Sequence, residues 1–168
     1  MLDMTYNVLD VCRYVINYSN QHGYGISNLK LQKVLYFIQA YFLVGKENHE
    51  ACFNEEIEAW DFGPVIPKAY HEYKQYGSGN IPSIEFYYDF NRDNIWNFEK
   101  RNYDDNIISE EDKKLINTVI EALSKFSATA LVSITHKQQP WLNTYKPYQN
   151  NVITREELKG YFNGRRDK

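Results

Sequence analysis

The sequence predicts a mainly α fold: a single helical domain of five to six helices around a buried central helix at 27–44, with at most a small β-hairpin near 84–99. Three observations carry that expectation. The stretch SNLKLQKVLYFIQAYFLV is apolar almost all round a helical wheel. Ser109, Ser127 and Thr154 each stand where an N-cap belongs, ahead of helical apolar spacing. Strand-like alternation is clearest at Ile84, Phe86, Tyr88 and Phe90.

Taken in order, residues 4–20 read as a first helix, with a stripe of Val8, Val11, Cys12, Val15 and Ile16 and with Thr5 as its cap. Gly23 and Gly25 break it, and so short a turn predicts that the first two helices pack as an antiparallel pair. In the central helix Leu31, Val34, Leu35, Ile38 and Phe42 share one face, and Tyr36, Phe37 and Tyr41 fill much of the rest. A helix apolar on most sides has to be wrapped by other elements. Its polar residues, Asn28, Lys30, Gln32 and Lys33, cluster early, so that end is expected at the surface or at a polar seam. Ser27 is placed to cap it and Gly45 to stop it.

The segment FNEEIEAW fits a short extended piece, and Gly63 beside Pro64 predicts a rigid turn. Pro67 suits the first turn of a helix running PKAYHEYKQY, ended by Gly77 and Gly79. Residues 81–105 mix seven aromatic side chains with charges and read as a hairpin turning at Asn91–Asn94; the alternative is a long aromatic loop. Ser109 with Glu110, Glu111 and Asp112 opens a helix whose first turn holds the acids that the helix dipole favours. ATALVSITH follows as the next helix, stopped at Gln138–Trp141, and Thr154 opens a last short one through Phe162. Arg165, Arg166 and Lys168 are expected to fray.

Bulk properties bound the function. The 168 residues suffice for one domain with a real core, and 43% hydrophobic with 24% charged residues is ordinary for a globular protein. Fifteen tyrosines lift the aromatic share to 16%, either as contact surface or as substitutes for Leu and Phe in the core. A net charge of −3 argues against a protein built to hold nucleic acid. No apolar run reaches the length of a membrane span, and MLDMTYNVLD has neither a basic leader nor a cleavage site, which reads as a cytoplasmic chain. Cys12 and Cys52 read as small core residues.

Four pieces stand in a fixed order: Lys30-Leu31-Gln32-Lys33-Val34-Leu35-Tyr36, Ala59-Trp60 with Phe62-Gly63-Pro64-Val65, Tyr70-His71-Glu72-Tyr73, and Thr135-His136 with Pro140-Trp141. As a set they resemble the Panacea domain family, the SocA-like antitoxins and the GepA-type phage-associated proteins. The resemblance covers about 5–80 and 109–162, and implies one Panacea-like domain over 1–168 with an aromatic insertion at about 81–105. It further implies a cytoplasmic antitoxin that binds and neutralises a cognate toxin encoded beside it, and, from the founding example, an adaptor that hands the toxin to a protease.

Chemistry read from the residues is sparse. His136, at a helix end, reads as a general base or partner contact or, as the favoured reading, as a helix-terminal residue bonded to carbonyls or to the Trp141 turn; no Ser or Cys nucleophile is tied to it by a motif. His49 and Cys52 have the spacing of two metal ligands with the other two missing, so neither metal nor cofactor is expected. Gly77-Ser78-Gly79 lacks the Lys-Ser/Thr of a phosphate loop. No enzymatic activity is expected. The turn Trp60–Val65 and the motif Thr135–Trp141 have two readings, as loops anchored onto the central helix by Trp60 and Trp141 or as one exposed aromatic groove for a partner, and the two tryptophans are expected to be mostly structural. The partner-binding candidates are Phe62, Tyr70, Tyr73 and Gln139 beside that groove, and Phe86, Tyr88 and Trp96 in the aromatic segment. The motif residues are Lys30, Gln32, Lys33, Trp60, Gly63, Pro64, Thr135, His136, Pro140 and Trp141. The first alternative function is a phage-encoded binder of another host protein, and the second a hydrolase using His136.

Overall fold

Ser27 opens the central helix as its spacing predicts, its hydroxyl accepting from the Lys30 amide at 3.3 Å. The computed structural model describes residues 5–46, 50–90, 93–94 and 96–164. His49, the Asn91–Arg92 part of the expected turn, and the tail residues Arg165, Arg166 and Lys168 lie outside them. The central helix, α2 (Asn28–Gly45), follows α1 (Val8–Gln21). It packs against α1 and, later in the chain, against α3 (Pro67–Tyr73), α4 (Glu110–Leu123), α5 (Ala128–His136) and α7 (Arg155–Asn163). Leu31, Val34, Leu35, Tyr36, Ile38, Phe42 and Leu43 are all sealed. Tyr36 and Phe37 meet Phe162 of α7 edge-on, each with ring centroids 5.9 Å apart.

Side chains cap the helices. Ser109, Ser127 and Thr154 accept from the amides of Asp112, Ala130 and Glu157 at 3.2, 3.0 and 3.1 Å. The cap of α1 is Asn7, not Thr5, with its side chain accepting from Leu9 at 2.9 Å. Thr5 comes too early because the chain there is still extended: the Tyr6 amide donates to the Cys52 carbonyl at 2.8 Å, and Thr5 bonds Asn54 at 2.9 Å.

The expectation of five to six helices with at most one hairpin is corrected. Among the described residues there are seven helices and five strands in two small sheets. The added helix is α6 (Gln139–Leu142). Pro140, read as a stop, sits in the first turn, where its missing N–H costs nothing. The unforeseen sheet has β1 (Ile57–Trp60) at its centre, antiparallel to β2 (Gly63–Val65) on one side and to β5 (Val152–Ile153) on the other. Strands of two and three residues are too short to display an alternation. The second sheet is the hairpin of β3 (Phe86–Phe90) and β4 (Phe98–Asn102), in register from Phe86↔Asn102 to Phe90↔Phe98.

Candidate functional site

The family words converge on the β1–β2 turn. Gln32 Oε1 accepts from the Ile66 amide at 3.0 Å, while its Nε2 donates to Asn28 Oδ1 at 2.9 Å. Asn28 in turn donates to the Tyr70 carbonyl at 3.0 Å. Lys33 is 0% exposed, and its Nζ donates to the Pro64 carbonyl at 3.2 Å. Burial lowers its pKa from 10.5 to about 7. The polar start of α2 is therefore a buried seam, and it holds β2 in place. Gly63 has φ +105, and a Cβ there would stand 2.7 Å from Lys33 Cε and 2.9 Å from Thr135 Oγ1. Only glycine lets the turn press so closely on both side chains.

From the other side, α5 and α6 hold the same turn. Trp141 Nε1 donates to the Trp60 carbonyl at 2.8 Å. His136 Nε2 donates to the Asp61 carbonyl at 2.9 Å, and its ring lies on Trp141 with centroids 4.2 Å apart. That bond places a proton on Nε2, so this nitrogen is not available as a base. Tyr145 donates its hydroxyl to Asp61 Oδ1, and Tyr36 donates to Gln138 Oε1 at 2.7 Å. Lys30 reaches the Ser124 carbonyl at 3.3 Å, and burial lowers its pKa. Among the described residues no three His, Cys, Asp or Glu side chains are grouped to hold a metal ion, and no single helix is long and apolar enough to cross a membrane.

Of the two readings of the Trp60–Val65 and Thr135–Trp141 loops, the groove takes a different form. Thr135–Trp141 lies beneath the turn rather than across from it. The turn instead walls a cleft of about 300 Å³ with Tyr70 of α3 and with Tyr148, Gln149 and Asn150. Trp60 and Tyr70 meet edge-on there at 5.1 Å, and the Trp60 indole donates to Glu58 at 2.9 Å. Phe62 is exposed at the lip. Tyr73 was expected beside it but is only 5% exposed, because it turns inward from α3 as that helix packs on α1. Gln139 is exposed and lines a separate depression with Thr154 and Tyr161. Tyr148 and Gln39 escaped sequence reasoning. Gln39, buried midway along α2, accepts from the Cys52 amide at 2.8 Å and donates to the Phe53 carbonyl at 2.8 Å, pinning the incoming loop. A polar residue inside an otherwise apolar run was the one signal that pointed to it.

The hairpin forms a second surface. Its register puts Phe86, Tyr88 and Phe90 on one face with Phe98 and Lys100. Neighbouring rings meet at 5.4 to 5.9 Å, and the Lys100 amine stands 4.3 Å from the Phe86 ring centre. All four rings are exposed, and Trp96 at the tip is 84% exposed. The opposite face carries Tyr87, whose ring takes the Arg13 guanidinium of α1 at 3.5 Å, and Arg101, paired with Asp89 and Glu99. The ribbon thus touches α1 through Tyr87, while its other side chains, the aromatic face included, stand largely in solvent.

A family model described as "Antitoxin SocA-like, Panacea domain" matches residues 31–142, which hold every motif residue of the turn and its clamps except Lys30. The chain belongs to this family. The Panacea domain is also 53% identical over 45 residues to Antitoxin SocA of Caulobacter vibrioides (strain NA1000 / CB15N). That stretch covers 27% of this chain and 23% of the relative, so it spans less than a quarter of the relative's length. No solved structure matches the Panacea domain described here.

Proposed function

We propose that this chain is an antitoxin that neutralises a cognate toxin by direct protein–protein binding, with the aromatic face of the β3–β4 hairpin as the contact that selects the partner. Family membership supports the antitoxin reading. The observation that carries the choice of surface is the open ladder Phe86–Tyr88–Phe98–Phe90, with Trp96 beyond it. A two-stranded ribbon gains little stability by holding five aromatic rings in water. Rigid aromatic side chains are what interface hot spots are made of.

The mechanism is occlusion: the hairpin lies across the toxin's working surface. The test is co-expression with each adjacent open reading frame, scored for growth and then for co-purification. Growth rescue with a stable complex is expected, and Tyr88→Ser with Phe90→Ser should weaken that complex at least about tenfold. If no neighbour is toxic and none co-purifies, the antitoxin reading fails and a binder of another host protein takes its place. A toxin whose cellular lifetime shortens when this chain is present would replace occlusion with delivery to a protease.

A further inference from the structure

The cleft beside the β1–β2 turn has a composition that selects a ligand class. Its walls are aromatic: Trp60, Phe62, Tyr70 and Tyr148. Among the described residues its one charged lining group is the Asp61 carboxylate, and no lysine, arginine or histidine lines it. Asp61 Oδ1 takes the Tyr145 hydroxyl, while Oδ2 makes no hydrogen bond among the described residues. A second carboxylate, Glu58, stands behind the wall on the Trp60 indole. Lys33, under the turn, is sealed behind Gly63 and Pro64, and burial lowers its pKa to about 7; Lys146 pairs through its backbone with Gln149 of the lining but does not itself line the cleft.

Tyr148 is presented to the cleft by a tight turn. It has φ +63, the only non-glycine residue in the left-handed region among those described. That conformation costs a residue with a Cβ about 1–2 kcal/mol. Its ring is fully exposed and makes no hydrogen bond or ring stack among the described residues. The left-handed φ belongs to the tight turn Lys146–Gln149, closed by the Gln149 amide donating to the Lys146 carbonyl at 3.2 Å with Pro147 before Tyr148, and this turn holds the ring out at the mouth of the cleft.

The geometry points to this cleft as the seat for a cationic side chain, an arginine or lysine presented on an exposed segment of the protein partner. Ring faces attract a cation through their quadrupole, and the attraction grows as the site is desolvated. The Asp61 carboxylate supplies the counter-charge, and its fixed position suits a guanidinium fork. Anionic or purely apolar segments would leave that carboxylate facing a like charge or buried and unpaired. The inference deepens the proposed function by giving the same partner a second, charge-reading contact.

The test needs no toxin, so its outcome is separate from that of the antitoxin reading. The isotopically labelled chain is titrated by nuclear magnetic resonance with blocked pentapeptides carrying arginine, norleucine or glutamate between glycines. Arginine is expected to shift the amides of Trp60, Asp61, Phe62, Tyr70 and Tyr148–Asn150 at millimolar concentration, and added salt should weaken it. Asp61→Asn keeps an acceptor for Tyr145, and Tyr148→Gly suits the local φ; each should weaken arginine binding about two- to fivefold without disturbing distant resonances. Equal binding of the norleucine peptide, stronger binding of the glutamate peptide, or no shift at the cleft with the arginine peptide would each overturn the inference.

Discussion

Lys33 is a lysine closed off from water with no ion pair among the described residues, and its one acceptor is a backbone carbonyl. A buried ammonium without a counter-ion is costly, and its pKa falls to about 7. The sign of the linkage follows. Between about pH 7 and 10.5 the unfolded chain holds a proton that the folded chain has shed. Stability therefore rises with pH across that window, by up to about 1.4 kcal/mol per unit, and below it the full burial cost is felt. From about pH 9 the buried Cys12 and Cys52 thiols, and above about pH 10 the buried Tyr36 and Tyr73 hydroxyls, all raised by burial, oppose the trend because the unfolded chain ionises first. Lys33→Met keeps the volume and removes the proton. From pH 7 to about 8.5 the urea midpoint of the wild type should climb relative to that of the variant, the difference isolating Lys33 from the cysteines common to both; parallel slopes would show that Lys33 stays charged in the fold. Sequence reading placed Lys33 at the surface or at a polar seam, and the choice between them was not legible. It depends on Gly63, Pro64 and Thr135, which lie far away in the chain and close over the amine only in three dimensions.

At the scale of elements, the β1–β2 turn is clamped from both sides, and Gly63 is where the clamps meet. Gly63→Ala would adopt φ +105 with a Cβ and would also push on Lys33 and Thr135, both fully buried and unable to swing away. The expected loss is about 2–4 kcal/mol, read from chemical denaturation. A loss under about 1 kcal/mol would mean that the turn relaxes freely and does not depend on close approach. Elements with local signatures were the legible ones. Ser27, Ser109, Ser127 and Thr154 cap where the sequence pattern puts them, because a cap is a bond between residues two or three apart. The strands β2 and β5 were not legible. Their pairing with β1 depends on partners brought together by the fold, as in Ile57↔Ile153 and Glu58↔Val65. The same holds for the cleft: Tyr148 and Phe62 are ordinary surface residues in the sequence, and only the sheet brings their loops together.

For the molecule as a whole, α2 is the shared wall against which α1, α3, α4, α5, α7 and β2 pack, while the β3–β4 hairpin makes most of its contacts within itself. That asymmetry predicts separable roles for body and hairpin. The hairpin is tied to α1 by Arg13 over Tyr87, and at its base the Tyr103 amide donates to the Glu85 carbonyl at 2.8 Å. The two ends of the excursion are thus hydrogen-bonded to each other, so residues 86–102 can be replaced by a short Gly-Ser turn without stretching the chain. Asn17 still holds the Ile84 amide and carbonyl, at 2.7 and 2.9 Å, just before the cut. The shortened chain should keep its helical circular dichroism and a single cooperative unfolding transition, with stability within about 1–2 kcal/mol of the wild type. It should lose the co-purifying toxin while retaining the cationic peptide at the Asp61 cleft. A shortened chain that binds the toxin unchanged would move the selecting surface off the hairpin and onto the body. One that unfolds would make the aromatic ribbon part of the core's own support, and the open face would then need an explanation within the fold.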